Sequence, residues 1–208
     1  MNNKEFKEEE ITLSVLDAIG RKSDISQRHL ARELGVALGL ANSYLKRCVR
    51  KGLIKISDAP ANRYLYYLTP KGLSEKGRLT AWYLKNSFSF YREAGESCRN
   101  AYVQCKENGW NRIVLCGLSD LAEIAILRSY DSGIDIVALY DPHTEHVRFI
   151  NNDVYHDLAM LPEHDGYLIT DLNATKISYE HLISKVDPAK VIVPDVLRLD
   201  KQNSSQSL

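Results

Sequence analysis

Apolar residues recur at helical spacing along the start of the chain. Ile11, Val15, Leu16 and Ile19 share one stripe that ends at Gly20, which predicts a first helix. The polar residues 1–10 ahead of it are expected to fray. From Ser26 the pattern restarts with Leu30, Ala31 and Leu34, turns at Gly35 and Val36, and resumes with Ala41, Leu45, Cys48 and Val49 up to Gly52. Ser26 can cap, since its hydroxyl accepts a first-turn amide, and Gly35 can take the positive φ that ends a helix. Two short helices joined by such a turn form a helix-turn-helix.

After Gly52 the period changes. Leu53–Ser57 alternates and Tyr64–Leu68 is aromatic, so two strands joined by the loop 58–63 are predicted as a β-hairpin. Thr69 then caps and Pro70 opens a helix whose apolar positions run to about Asn108, with Gly95 as a candidate bend or break. Its apolar residues, Trp82, Tyr83, Leu84, Phe88 and Tyr91 among them, predict packing on a second copy of the chain. Packing on the chain's own C-terminal half is the alternative.

Beyond Trp110 the apolar runs shorten into strands, at Arg112–Cys116, Ile134–Asp141, Gly166–Thr170 and Val191–Pro194, with a further short one at Val147–Ile150. Helices are predicted after Gly117 and over Ile177–Lys185, and a linker or short helix at 158–163. Strands alternating with helices imply a parallel α/β sheet of Rossmann type. The expected organisation is therefore an α+β winged helix-turn-helix domain over 1–85, a linker or dimerisation helix over 86–108, an α/β Rossmann-like domain over 109–200 and a disordered polar tail over 201–208.

Charge sharpens this division. The chain of 208 residues has a formal net charge of zero, which alone argues against nucleic acid. Residues 1–80, however, carry fifteen Lys/Arg against nine Asp/Glu, and residues 81–208 carry twelve against eighteen. A basic front half and an acidic back half point to different partners. Of the helix-turn-helix residues, Asn42, Ser43, Lys46 and Arg47 are predicted to face a DNA major groove, with Arg50 and Arg63 on phosphates. Gln27 and Arg28 are further backbone contacts, and Tyr44 is ambiguous between base contact and core.

The acidic half offers a glycine turn, Gly117-Leu-Ser119-Asp-Leu-Ala122, where a dinucleotide-binding fold carries G-x-G-x-x-G. Its second glycine is Ser119, whose Cβ stands where a pyrophosphate must approach, although the hydroxyl could cap the helix or bond a phosphate. Asp120 follows at the positive end of the helix dipole, and Asp141 ends the second strand near where a ribose-binding acid belongs. Gly117, Ser119, Asp120 and Asp141 are the candidate ligand residues, and no cofactor can be named. No catalytic residues are expected: the Tyr-x-x-x-Lys pairs at Tyr67 and Tyr102 both precede the glycine turn. His143, His146 and His156 lack a partner spaced to complete a metal site. Cys48, Cys98, Cys105 and Cys116 form no Cys-x-x-Cys pair and read as free thiols in a reducing cytoplasm, with an intersubunit disulfide or thiol sensor as the lesser option. The start of the chain has no apolar leader and no run reaches the ~20 apolar residues that span a bilayer, so a cytoplasmic location without membrane contact is expected.

The blocks Ser26-Gln-Arg-x-Leu-Ala-Arg-Glu-Leu-Gly-Val, Leu45-Lys, Lys51-Gly-Leu-Ile and, above all, Tyr67-Leu-Thr-Pro-Lys-Gly-Leu-Ser-Glu-Lys-Gly-Arg-Leu-Thr80 resemble MarR-type winged helices. The likeness is closer to the regulators associated with bacterial exopolysaccharide clusters, and it covers residues 10–92. It implies a homodimeric bacterial regulator of polysaccharide or cell-envelope genes acting on double-stranded, dyad-symmetric DNA. The C-terminal half resembles Rossmann-like modules of CoA-binding proteins and sugar-nucleotide enzymes, which implies a nucleotide or sugar-nucleotide effector. The alternatives are a scaffold protein whose degenerate Rossmann domain docks a partner, and an enzyme tethered to DNA.

Overall fold

The computed structural model describes residues 3–59 and 63–199. The chain divides into two compact units, 1–88 and 89–208. Among the described residues no helix is long and apolar enough to cross a membrane.

In the first unit, α1 (Asn3–Arg21), α2 (Gln27–Glu33) and α3 (Leu38–Arg50) precede a hairpin of β1 (Ile54–Ala59) and β2 (Arg63–Leu68). The hairpin is antiparallel, with Ile54 opposite Leu68 and Ala59 opposite Arg63. Val15, Leu16 and Ile19 of α1, Leu30 of α2, Leu45 and Cys48 of α3 and Tyr66 of β2 close one core. The start of α1 does not follow the expectation of fraying. Its helix begins at Asn3, and Phe6 packs on Trp82 with ring centroids 4.8 Å apart. Glu8 pairs with Arg47 at 2.9 Å and Glu9 with Arg78 at 3.1 Å. The segment looked solvated because its partners lie far along the chain.

One junction ties these pieces together. Thr69 caps α4 (Pro70–Glu107), its hydroxyl accepting the Gly72 amide at 3.0 Å. The same hydroxyl donates to the Gly52 carbonyl at 2.7 Å, and the Thr69 amide donates to the Leu53 carbonyl at 3.0 Å. Lys71 Nζ donates to the Lys51 carbonyl, also at 3.0 Å. A Cβ on Gly72 would stand 2.0 Å from the Leu53 oxygen, so the helix can approach the end of α3 this closely only with glycine. Pro70 costs nothing here, because a first-turn amide has no partner within the helix.

The second unit is a six-stranded sheet in the order β5-β6-β4-β3-β7-β8. Its strands are β3 (Arg112–Cys116), β4 (Asp135–Tyr140), β5 (Arg148–Phe149), β6 (Asn152–Tyr155), β7 (Gly166–Ile169) and β8 (Val191–Ile192). All pairings are parallel except β5 with β6. The order reverses at β3, so β3 and β7 flank the topological switch point of a doubly wound fold. Alternation along the strands serves two faces. Ile113, Leu115, Leu139 and Leu168 pack with α5 (Asp120–Ser132), and Val114, Cys116, Tyr140 and Ile169 pack with Leu182 of α6 (Thr175–Ile183). The expected short strand at 147–150 pairs with β6, which its polar sequence Asn152-Asp-Val-Tyr155 did not announce. The alternative of linker or short helix at 158–163 resolves as a 3-10 turn, Leu158–Met160.

α4 begins in the first unit and ends in the second. Ala94, Cys98, Ala101, Tyr102 and Cys105 belong to the core of the α/β unit, so this stretch takes the alternative anticipated for it, packing on the chain's own C-terminal half. The Tyr102 hydroxyl donates to the Ala125 carbonyl at 2.7 Å. Gly95 does not break the helix. It makes room for the Arg128 guanidinium, whose Nε would lie 2.7 Å from a Cβ there, and which rests over the Tyr91 ring at 5.5 Å. The tail 201–208 lies outside the described residues.

Two glycines of α4 make opposite predictions. Gly72→Ala overpacks the junction and should destabilise the first unit by about 1–3 kcal/mol. Nothing stands within 4 Å of a Cβ at Gly77, so Gly77→Ala should add about 0.5–1 kcal/mol through helix propensity. Calorimetric unfolding of the two variants beside the parent checks both signs.

Candidate nucleic-acid interface and ligand pocket

The turn before α3 is fixed by backbone geometry. Gly35 adopts φ +63°, and the Val36 amide returns to the Ala31 carbonyl at 3.0 Å. α3 then buries Ala41, Leu45 and Cys48. At 100° per residue, the side opposite this seam holds Ser43, Lys46 and Arg50. All three are exposed, and among the described residues neither Lys46 nor Arg50 is in an ion pair. This open, basic side is the surface that the helix can offer to a groove.

The flanks differ from expectation. Arg47 was expected on the open side, but its guanidinium pairs with Glu8 of α1, which holds its pKa up through that hydrogen bond. Tyr44 is half-buried and packs on the core; burial, then the nearby Glu8, raises its phenol pKa. Its ambiguity therefore resolves toward the core. Asn42 is also half-buried, and its Oδ1 is enclosed without a hydrogen-bond partner among the described residues. Gln27 and Arg28 lie exposed at the start of α2, where Gln27 Nε2 donates to the Tyr66 hydroxyl at 3.4 Å. Ser26 caps α2 through the His29 amide. The backbone of Arg63 opens β2, but its side chain and the loop 60–62 lie outside the described residues.

In the α/β unit the glycine turn is occupied by its own chain. Gly117 takes φ +103°, and a Cβ there would meet the Asp171 amide nitrogen at 2.7 Å. Ser119 caps α5 by accepting the Leu121 amide at 3.1 Å, while its hydroxyl proton goes to the Thr170 carbonyl. The Thr170 hydroxyl in turn donates to the Gly117 carbonyl at 2.6 Å. The Leu118 amide donates to Asp141 Oδ2 at 3.2 Å. The Ser119 hydroxyl thus has no proton left for a phosphate, and a carboxylate already stands on the turn.

On the α6 side of the sheet, the ends of β3 and β4 and the helix line a small pocket of about 50 Å³ that opens to solvent. Gly117, Tyr140, Asp141, His143, Ile177 and His181 line it. The Tyr140 hydroxyl lies 3.2 Å from His181 Nε2, with the rings nearly parallel at 14°. Asp141 Oδ1 also accepts the His143 amide at 2.9 Å, and its carbonyl is bonded by His156 Nδ1 at 2.9 Å. Beside the pocket, burial works against the charge of Asp171, but the Ser178 hydroxyl and the Ala174 and Asn173 amides outweigh it and hold the carboxyl below its usual range. The structure thus brings Gly117, Ser119 and Asp141 together and adds Thr170, Asp171 and His181, which sequence reading missed. Asp171 had a signal: like Asp141, it is an acid following a buried strand. Asp120 stands in the first turn of α5 and does not line this pocket. Among the described residues no cluster of His, Cys, Asp or Glu is arranged to hold a metal ion.

A family model described as winged helix-turn-helix DNA-binding matches residues 8–55. No curated protein matches the chain. Solved structures that align include Streptococcus pneumoniae FabT in complex with DNA, at 26% identity over 38% of this chain and 55% of that one, with a TM-score of 0.31. MepR, a transcription regulator of the Staphylococcus aureus multidrug efflux pump MepA, aligns at 22% identity over 39% and 60%, with a TM-score of 0.34. Human N-acetylserotonin methyltransferase in complex with SAM aligns at 15% identity over 90% and 74%, with a TM-score of 0.32. The chain thus spans less than two thirds of the first two.

The four cysteines give a test of their own. All are buried and free, which leaves no disulfide within the chain. Burial pushes the Cys48 thiol up to about 11 and those of Cys98 and Cys105 to about 12, and Cys116 is raised as well. A raised thiol pKa means a protonated, unreactive sulfur. A disulfide-exchange reagent at pH 8 should find almost no fast-reacting thiol in the native protein and four after unfolding; a fast native thiol would restore the sensor reading.

Proposed function

We propose that this protein is a DNA-binding transcription regulator that reads DNA with the open side of α3. The observation that carries this reading is the exposed, basic row Ser43, Lys46 and Arg50 on the second helix of a winged helix-turn-helix, supported by the match over residues 8–55. Ser43 and Lys46 would reach base edges, and Arg50 the phosphates. Gln27 and Arg28 would fix the backbone register from the start of α2, and Arg63 would do so from the wing. Asn42 lies at the margin of this surface, while Arg47 serves to hold α1 against α3.

The regulator would act as a homodimer. Leu73, Leu84 and Phe88 of α4 are 59%, 46% and 58% exposed. Eleven residues are close to three helical turns, so Leu73 and Leu84 share one side of the helix, with Phe88 one turn on. A second copy covering this strip would present two reading helices to a dyad-symmetric site. The α/β unit would sense a nucleotide-type small molecule and bias the two heads. Polysaccharide or cell-envelope genes are the targets that the sequence resemblance suggests.

Fluorescence anisotropy with a duplex selected from a random pool tests the interface. Binding should weaken with salt, and Lys46→Ala and Arg50→Ala should each cost about 1–3 kcal/mol or lower the salt slope by about one. Arg47→Ala should do less than either. Leu84→Glu with Phe88→Glu should give monomers in sedimentation and lose the second half-site. Full affinity in the Lys46→Ala, Arg50→Ala double variant would place the interface elsewhere.

A further inference from the structure

We infer that the pocket between the strand ends and α6 takes a nucleoside without phosphate: a planar ring bearing hydroxyl or amino donors. This rests on the reading of the α/β unit as a sensor and narrows its ligand. At the turn where a diphosphate would lie, the Gly117 amide donates to the Tyr140 carbonyl, the Leu118 amide to Asp141 and the Leu121 amide to Ser119. Asp141 Oδ2 stands on the turn through the Leu118 amide, so a phosphate brought there meets a carboxylate. Like charges at such range repel.

The pocket on the other face of the sheet has the complementary character. Ile177 and Leu182 give apolar walls, and the near-parallel Tyr140 and His181 rings give an aromatic one. Asp141 is its anchor. Each carboxylate oxygen accepts one amide, from Leu118 and His143, and each keeps a lone pair for a ligand hydroxyl or amine. One residue thus both seals the turn against phosphate and offers acceptors to a donor-bearing ring.

Titration calorimetry of the full chain with the four ribonucleosides and their 5′-diphosphates tests this. At least one nucleoside should bind, and its diphosphate should bind roughly tenfold or more weakly. Asp141→Asn should weaken the nucleoside. Because that change also touches the turn, Ile177→Trp serves as a second variant: residue 177 is 66% exposed at the pocket, so the indole can fill it without disturbing the core. Unchanged binding in Ile177→Trp overturns the location. A diphosphate that binds more tightly than its nucleoside overturns the inference and leaves the sensor reading standing. Silence from all eight compounds, with DNA binding intact, overturns both.

Discussion

The N-terminal unit depends on the contact between Thr69–Gly72 and the carbonyls of Gly52 and Leu53. A helix end leaves carbonyls without partners, and a helix start leaves amides without partners. Here the end of α3 and the start of α4 supply each other through one hydroxyl. The hairpin lies between these two points in sequence, so fastening them fixes its base. The open side of α3 is then presented by a helix held at its C-terminal end by Thr69 and Lys71 and along its flank by Glu8. The Thr-Pro-Lys-Gly block is therefore a structural device, in which each of the four residues has a distinct physical reason to be what it is.

Local periodicity made much of this legible. The two helices around Gly35, the hairpin and the alternation of strands and helices beyond Trp110 could be read because each depends on residues close in sequence. What could not be read depends on distant partners. Lys46 and Arg47 are adjacent and alike in charge, yet Glu8 selects one of them for α1. Gly95 looks like a break until Arg128 is seen crossing it. β6 is four residues long with one buried side chain, and only its neighbours β4 and β5 make it a strand.

The α/β unit shows how a familiar motif can change its chemistry without changing its fold. The glycine turn keeps the positive φ that the close approach of Asp171 demands. Ser119 in place of a second glycine turns the helix start inward, toward Thr170. The doubly wound order survives, and with it a concavity at the strand ends, but the Gly117, Leu118 and Leu121 amides and the Ser119 hydroxyl now bond to the chain itself. The sequence pattern alone left Ser119 open between a cap and a phosphate ligand; the hydrogen bonds of its hydroxyl assign it to the cap.

Lysine acetylation footprinting, with and without duplex DNA, tests the reading surface most directly. Lys46 on the open side of α3 should lose reactivity when DNA binds, while Lys176 on α6 keeps its own. A Lys46 that stays as reactive as Lys176 on saturating DNA would contradict the assignment of α3 as the reading helix.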